Sequence, residues 1–223
     1  INAVKNAAAR RAGRDGSEIL LCAVTKTHPA SDINEAIDAG ITDIGENKVQ
    51  ELLSKYEKYD LAHASLQFIG HLQTNKVRQI VDKVDLIQSV DSLKLASEIS
   101  KQSLKIGKKT DVLVEVNIGR EENKSGVVPE QLDELLCQIA DLEGISVKGL
   151  MSIPPICDNT HKISKYFDNM RNIFIDISSK KLDNISMTIL SMGMSADYYE
   201  AILEGATMVR VGSSLFGARD YSK

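Results

Sequence analysis

Tryptophan is absent from this chain of 223 residues, and Phe and Tyr together give an aromatic fraction of only 4%. Binding of single-stranded nucleic acid relies on aromatic platforms for base stacking, so that class has little material here. Basic residues number 27 against 31 acidic ones, a net charge of −4 with both signs interspersed. No dedicated nucleic-acid surface is expected from such a balance. Cysteine is scarce too: Cys22, Cys137 and Cys157 are odd in number, far apart and form no C-x-x-C pair. That argues against a disulfide framework or a zinc site and for small buried thiols in a reducing compartment. His28, His63 and His161 share no spacing with carboxylates that would indicate a metal. No apolar run approaches the roughly 18 residues that a membrane span requires. The sequence begins at Ile1 without a charged-then-apolar leader, so the expectation is a trimmed start, no signal peptide, no membrane association and a cytoplasmic location.

What is present is core material: 43% hydrophobic and 26% charged residues suit a globular domain without disorder. Short β-branched runs alternate with longer amphipathic ones. The strands are read at 19–24, 42–45, 66–70, 86–90, 111–118, 147–153, 187–192 and 208–212. Helices are read between them, among them 49–59, 75–84, 163–179 and 196–205, with an extra N-terminal helix at 3–11. Ser31 and Asp91 are read as N-caps, Gly40, Gly107 and Gly144 as helix stops, and Pro129 as a helix opener. Strand–helix alternation implies a parallel sheet, and eight units over this length favour a closed barrel. The rival, an open doubly wound sheet, lacks its G-x-G-x-x-G marker. The predicted fold is therefore α/β, a single-domain (β/α)8 TIM barrel over residues 1–223.

Barrels collect function at the C-terminal ends of their strands. The first strand ends Val24-Thr25-Lys26-Thr27. A lysine there points toward the mouth, where partial desolvation makes the neutral amine accessible for condensation with an aldehyde; the alternative is a lysine that merely caps the strand. Loops after the last two strands are where barrels bind phosphate. They read Ser191-Met192-Gly193-Met194-Ser195-Ala196-Asp197 and Arg210-Val211-Gly212-Ser213-Ser214. Either alone is an ordinary Gly/Ser turn; together with Lys26 they indicate an aldehyde-bearing phosphate ligand. Arg210 is a permanent charge near that ligand if it faces inward, or pairs with Glu46 or Glu115. Gly45-Glu46-Asn47-Lys48 offers an amide and charges to the mouth. His71 lies against a flat ring or is a loop histidine satisfied by backbone. Residues 120–124 form a solvated loop able to close over the mouth, and Ser152 sits within reach of it.

These segments, with Phe68-Ile69-Gly70-His71-Leu72-Gln73-Thr74-Asn75-Lys76 and Gly149-Leu150-Met151-Ser152-Ile153-Pro154, resemble the pyridoxal phosphate homeostasis protein family over essentially the whole chain. The resemblance implies a barrel like the N-terminal domain of alanine racemase, with pyridoxal 5'-phosphate (PLP) held as a Schiff base on Lys26. It further implies Arg210 at the pyridine nitrogen, Ser195, Gly212 and Ser213 with neighbouring backbone around Met192 at the phosphate, and Asn47 and His71 along the ring. Lys48 departs from the family's usual aromatic. An always-charged Arg beside the pyridine nitrogen discourages its protonation and weakens PLP as an electron sink. The sequence ends at Lys223, leaving no room for a racemase's second domain, and Tyr221 is a poor substitute for its base. The expectation is a non-catalytic PLP carrier in vitamin B6 homeostasis, a monomer handing cofactor to PLP-dependent apoenzymes. The alternatives are a PLP-dependent amino-acid racemase and, more weakly, a Schiff-base aldolase without PLP.

Overall fold

Parallel neighbours need a long crossover, and this chain supplies a helical one after every strand. The computed structural model describes residues 1–157 and 159–217. Helix α1 (Asn2–Arg11) comes first, followed by β1 (Leu20–Val24), α2 (Ala30–Asp38), β2 (Asp43–Glu46), α3 (Val49–Lys55) and β3 (Ser65–Phe68). Then come α4 (Val77–Ile80), β4 (Leu86–Val90), α5 (Leu93–Lys105), β5 (Thr110–Val116), α6 (Pro129–Ala140) and β6 (Ile145–Ser152). The described residues close with α7 (Thr160–Ser179), β7 (Ile185–Ser191), α8 (Tyr198–Leu203), β8 (Met208–Val211) and α9 (Ser213–Phe216).

The strands pair in chain order into a closed parallel barrel, and β8 returns to β1 with Cys22 beside Arg210 and Ala23 beside Val211. This is the expected α/β TIM barrel. Strand side chains alternate between two faces, and two separate cores result. Ala23, Ile44, Phe68, Val112, Val114, Leu150 and Val209 pack outward against the helices. Cys22, Ile69, Leu86, Leu113, Met151 and Met208 fill the lumen, with Val24, Ile153 and Ile189 against them. Among the described residues no helix is long and apolar enough to cross a membrane.

Several expected boundaries shift for local reasons. Helix α2 starts at Ala30, one residue before Ser31, because Pro29 already provides the extended N-cap backbone; the Ser31 hydroxyl donates to Asp32 instead. Ser92, not Asp91, caps α5, accepting from the Leu95 N–H. The helix expected over 75–84 is short because the Lys108 amine takes the Val81 and Val84 carbonyls at 3.1 and 2.5 Å. Helix α6 stops at Ala140, short of Gly144. Helix α8 begins only at Tyr198, because the Asp197 carboxylate folds back onto the Met194 N–H at 2.6 Å. Tyr221 lies outside the described residues.

Candidate functional site at the barrel mouth

Lys26 continues the inward alternation of Cys22 and Val24, so its side chain starts from the lumen side of the mouth. The residues on either side of it are tied down from outside the wall. The Thr25 hydroxyl donates to Glu46 Oε1 at 2.8 Å, and the Thr25 carbonyl accepts from Lys55 Nζ at 3.1 Å. The Thr27 N–H donates to Glu51 Oε1 at 2.5 Å, and Thr27 adopts φ 69°, a left-handed backbone uncommon for a β-branched residue. Lys55 joins the two carboxylates, 3.0 Å from Glu46 and 2.6 Å from Glu51, and the Tyr59 hydroxyl also donates to Glu46 at 2.6 Å. Burial and the adjoining Glu46 charge push the Tyr59 hydroxyl well above its ordinary pKa, so it stays a donor. Glu46 is thus fully buried behind the strand. It neither offers charge to the mouth nor pairs with Arg210, because Asn47, not Glu46, falls on the inward face of β2.

Arg210 does face inward, at 3% exposure. Its guanidinium donates to Ser191 Oγ at 2.6 Å and to the Ser152 carbonyl at 2.9 Å, and among the described residues no carboxylate stands within ion-pair distance of it. Burial lowers its pKa, opposed by the fields of Glu115 and Asp197. Ser152 therefore reaches the site through its carbonyl, while its hydroxyl is buried without a hydrogen-bond partner.

The two loops expected to bind phosphate meet. Ser195 Oγ accepts from the Gly212 N–H at 3.1 Å and the Ser214 N–H at 3.4 Å, where the first turn of α9 begins. Gly193 permits this approach: its φ is 90°, and a Cβ there would lie 2.5 Å from that of Ala201. Gly212 packs against Val24, two residues before Lys26, and Ser213 is exposed at the start of α9. His28, just past Lys26, stacks on Phe216 of α9 at 4.7 Å, tying the first exit to the last. Alternation turns Ser191 inward and leaves the Met192 side chain fully buried in the outer core, so Met192 can face a ligand only through its backbone. Its backbone N–H serves only the sheet, donating to Met208 O at 3.1 Å.

The opposite half of the mouth is a cavity of about 320 Å³ lined by Asn47, His71, Glu115, Lys124 and Ser125 among others. Gly70 sets its floor, since a Cβ there would fall 2.1 Å from the Asn47 carbonyl. Asn47 Oδ1 is buried without a partner among the described residues. His71 is exposed and held by side chains, Ser125 Oγ at 3.2 Å and Asp91 at 3.8 Å, not by backbone as expected. The loop after β5 does lie over the mouth, anchored by Asn117, whose amide donates to the Glu121 carbonyl and accepts from the Glu121 N–H. Glu115, unassigned from sequence except as a partner for Arg210, has its carboxyl pushed up to about 7 by burial and by Asp91, with Arg210 opposing. A larger hollow of about 650 Å³ beside Lys5, Arg14 and Gly16 adjoins the N-terminal end of β1, the wrong end for barrel chemistry.

Comparison with known proteins places this geometry. Residues 4–220 match the family model described as alanine racemase, N-terminal domain. A pyridoxal phosphate homeostasis protein from Aquifex aeolicus is 44% identical over 96% of this chain and 93% of its own length. PipY from Synechococcus elongatus, solved with PLP bound, is 33% identical with a TM-score of 0.83, covering 96% of this chain and 99% of its own. Alanine racemase from Clostridium difficile shares the fold at a TM-score of 0.74 and 16% identity, over 99% of this chain and 57% of its own. The chain belongs to the pyridoxal phosphate homeostasis proteins, built on the alanine racemase N-terminal barrel.

Proposed function

We propose that this protein binds PLP at the barrel mouth, linked to Lys26, and serves vitamin B6 homeostasis as a carrier and not as a catalyst. The observation that carries the reading is the convergence of β1 and β8. These neighbouring strands bring Lys26, Arg210 and a pair of backbone N–H groups at Gly212 and Ser214 to one mouth. The Gly212 and Ser214 donors already share a hydroxyl oxygen and suit a phosphate. Across the mouth, the orphaned Asn47 Oδ1 is an acceptor awaiting a donor, as a hydroxyl-bearing ring provides. The residues fit the group.

Lys26 would hold the ligand by condensing its amine with the aldehyde, releasing water, to give a Schiff-base linkage. Arg210 would face the ring nitrogen, Ser195, Gly212 and Ser213 the phosphate, and Asn47 and His71 the ring. When bound, PLP supplies an electron sink whose strength depends on a protonated ring nitrogen. Arg210 is a donor held in place by Ser191 and the Ser152 carbonyl, and a permanent cation there disfavours that protonation. A racemase tolerates this by adding a second acid/base residue, so the choice of carriage over racemisation rests on the relatives' names. The protein is then a cytoplasmic monomer that exchanges PLP with apoenzymes.

The test is visible absorption of the purified protein before and after borohydride, followed by peptide mapping. A yellow band that disappears with the adduct on Lys26 supports the reading. A protein that added PLP leaves colourless, or an adduct elsewhere, sinks it. Alanine turnover by the loaded protein far above that of free PLP would reverse the choice of carrier over racemase.

A further inference from the structure

The lumen of the barrel is not wholly apolar. Between the apolar residues that fill it runs a row of polar side chains from β2, β3, β4, β7 and β8, each 9% exposed or less. The Arg210 guanidinium donates to Ser191 Oγ at 2.6 Å, and the Ser191 hydroxyl donates to Gln88 Oε1 at 2.7 Å. Gln88 Nε2 donates to Gln67 Oε1 at 2.5 Å, and Gln67 Nε2 donates to Asp43 Oδ1 at 2.7 Å. Thr42 closes the far end by donating to Asp43 Oδ2 at 2.7 Å. The second N–H of Gln88 faces Met208 Sδ at 3.1 Å. The bond between Ser191 and Gln88 joins β7 to β4, strands that are not neighbours in the wall, so the row crosses the lumen.

Its direction is fixed by its ends. A guanidinium has only donors, and an ionised carboxylate only acceptors. Every link between them must therefore donate away from Arg210 and toward Asp43, and turning either amide would set acceptor against acceptor or donor against donor. Bonds aligned in one sense also polarise one another in a low-dielectric interior. An apolar side chain would fill the same space without needing a partner, so the row demands a reason beyond packing. Arg210 supplies one, because it is the member that reaches the mouth.

We propose that Asp43, Gln67, Gln88 and Ser191 are positioning residues, a polarised thread through the barrel that fixes the orientation of the Arg210 guanidinium presented to the ligand. The effect on ligand binding rests on the reading that Arg210 meets PLP; the effect on Arg210 itself does not. Burial raises the Asp43 carboxyl, while Thr42 and Gln67 pull it back down by hydrogen bonding, in keeping with an acceptor end that the thread itself sustains.

The test begins without ligand. In nitrogen-15 NMR of the apoprotein, a clamped guanidinium shows separate Nη signals with slow solvent exchange. Ser191→Ala removes one hydroxyl and Gln88→Met removes the middle link, so two substitutions of different size guard against a single misfolded variant. Both are expected to merge the Arg210 Nη signals and to raise the PLP dissociation constant about tenfold, the loss of one bond to a charged group. Gln88→Glu gives the sharper readout. Protonated, it still donates to Gln67; ionised, it cannot, so PLP affinity should fall as pH rises through its pKa, as an added step on top of the parent's own profile, to which the Glu115 carboxyl and the Lys26 amine at the mouth contribute. Arg210 signals that stay separate in a folded Ser191→Ala or Gln88→Met protein, or a Gln88→Glu affinity profile that runs parallel to the parent's across pH, would overturn the thread. Failure of the parent to bind PLP would overturn the ligand reading alone and leave the NMR result to decide the thread.

Discussion

The two flanks of the mouth are built on opposite principles. On the Lys26 side, the backbone before and after the lysine is pinned by ions, with Glu46, Glu51 and Lys55 gathered behind the wall and partly open to water on α3. On the Arg210 side, a permanent cation is held by neutral groups inside the lumen, Ser191 and the Ser152 carbonyl, with the carboxyls of Glu115 and Asp197 acting on it only from beyond ion-pair distance. The difference suits the two jobs. On the proposed function Lys26 would form and release a bond, and the clamp grips Thr25 and Thr27 around it. Arg210 would only point, and the proposed thread would orient it through directional bonds. Ionic clamps fail in large steps, whereas hydrogen-bonded threads fail link by link.

The largest break is therefore on the lysine side. Glu46→Gln removes the charge that Lys55 meets at 3.0 Å, leaves that amine Glu51 alone, and puts an amide N–H at the buried Oε2 position, which has no partner among the described residues. Breaking a buried pair from one side costs about 3–5 kcal/mol, read as a lowered urea midpoint at constant slope. Ser191→Ala, which removes one neutral link on the other side, should cost about 1–2 kcal/mol. If the two losses come out equal, the contrast between the flanks is wrong.

Glu115 sharpens the comparison, since it is a buried carboxyl that faces the mouth from the other half and still feels the Arg210 charge. Its folded value of about 7 stands above the ordinary 4.5, so its contribution to stability is present in full below the lower value and is lost as pH rises through the upper one. Glu115→Gln has no proton to lose. Its stability relative to the parent should climb between those limits by about 3 kcal/mol, measured by denaturation across the range. A flat difference would mean that Arg210 already compensates the charge.

How much of this was legible in the sequence follows from what each signal needs. Strands buried on both faces read as β-branched runs, so all eight were found in order. Lys26, Arg210, Ser195 and Gly212 stood out as candidates because a barrel ties function to strand ends, and the fold brings them to one mouth. Glu46 was misread although the signal was there: counting alternate residues from Gly45 puts it on the outer face, and the same count from Ser191 puts the Met192 side chain there. Helix α9 was missed because four residues carry no helical periodicity. The thread was hidden more deeply. Gln67 and Gln88 stand out as polar residues inside apolar strands, but only closure of the barrel brings Gln88 to a serine 103 positions away.

The smallest expected effect lies where the two flanks touch. Gly212 packs on Val24, and an added Cβ would meet the Val24 Cβ at 3.3 Å and the Val24 carbonyl at 3.5 Å. Its φ of −117° is open to any residue, so Gly212→Ala carries no backbone strain, and Val24 must yield by only a few tenths of an ångström. Stability should change by less than about 1 kcal/mol. Yet Val24 leads directly to Lys26, and the Gly212 N–H is one of the donors proposed to hold phosphate. If the flanks cooperate through this contact, PLP affinity should fall more than stability does, in a titration followed by absorbance. If both change together and slightly, Gly212 is a packing residue and the flanks act independently.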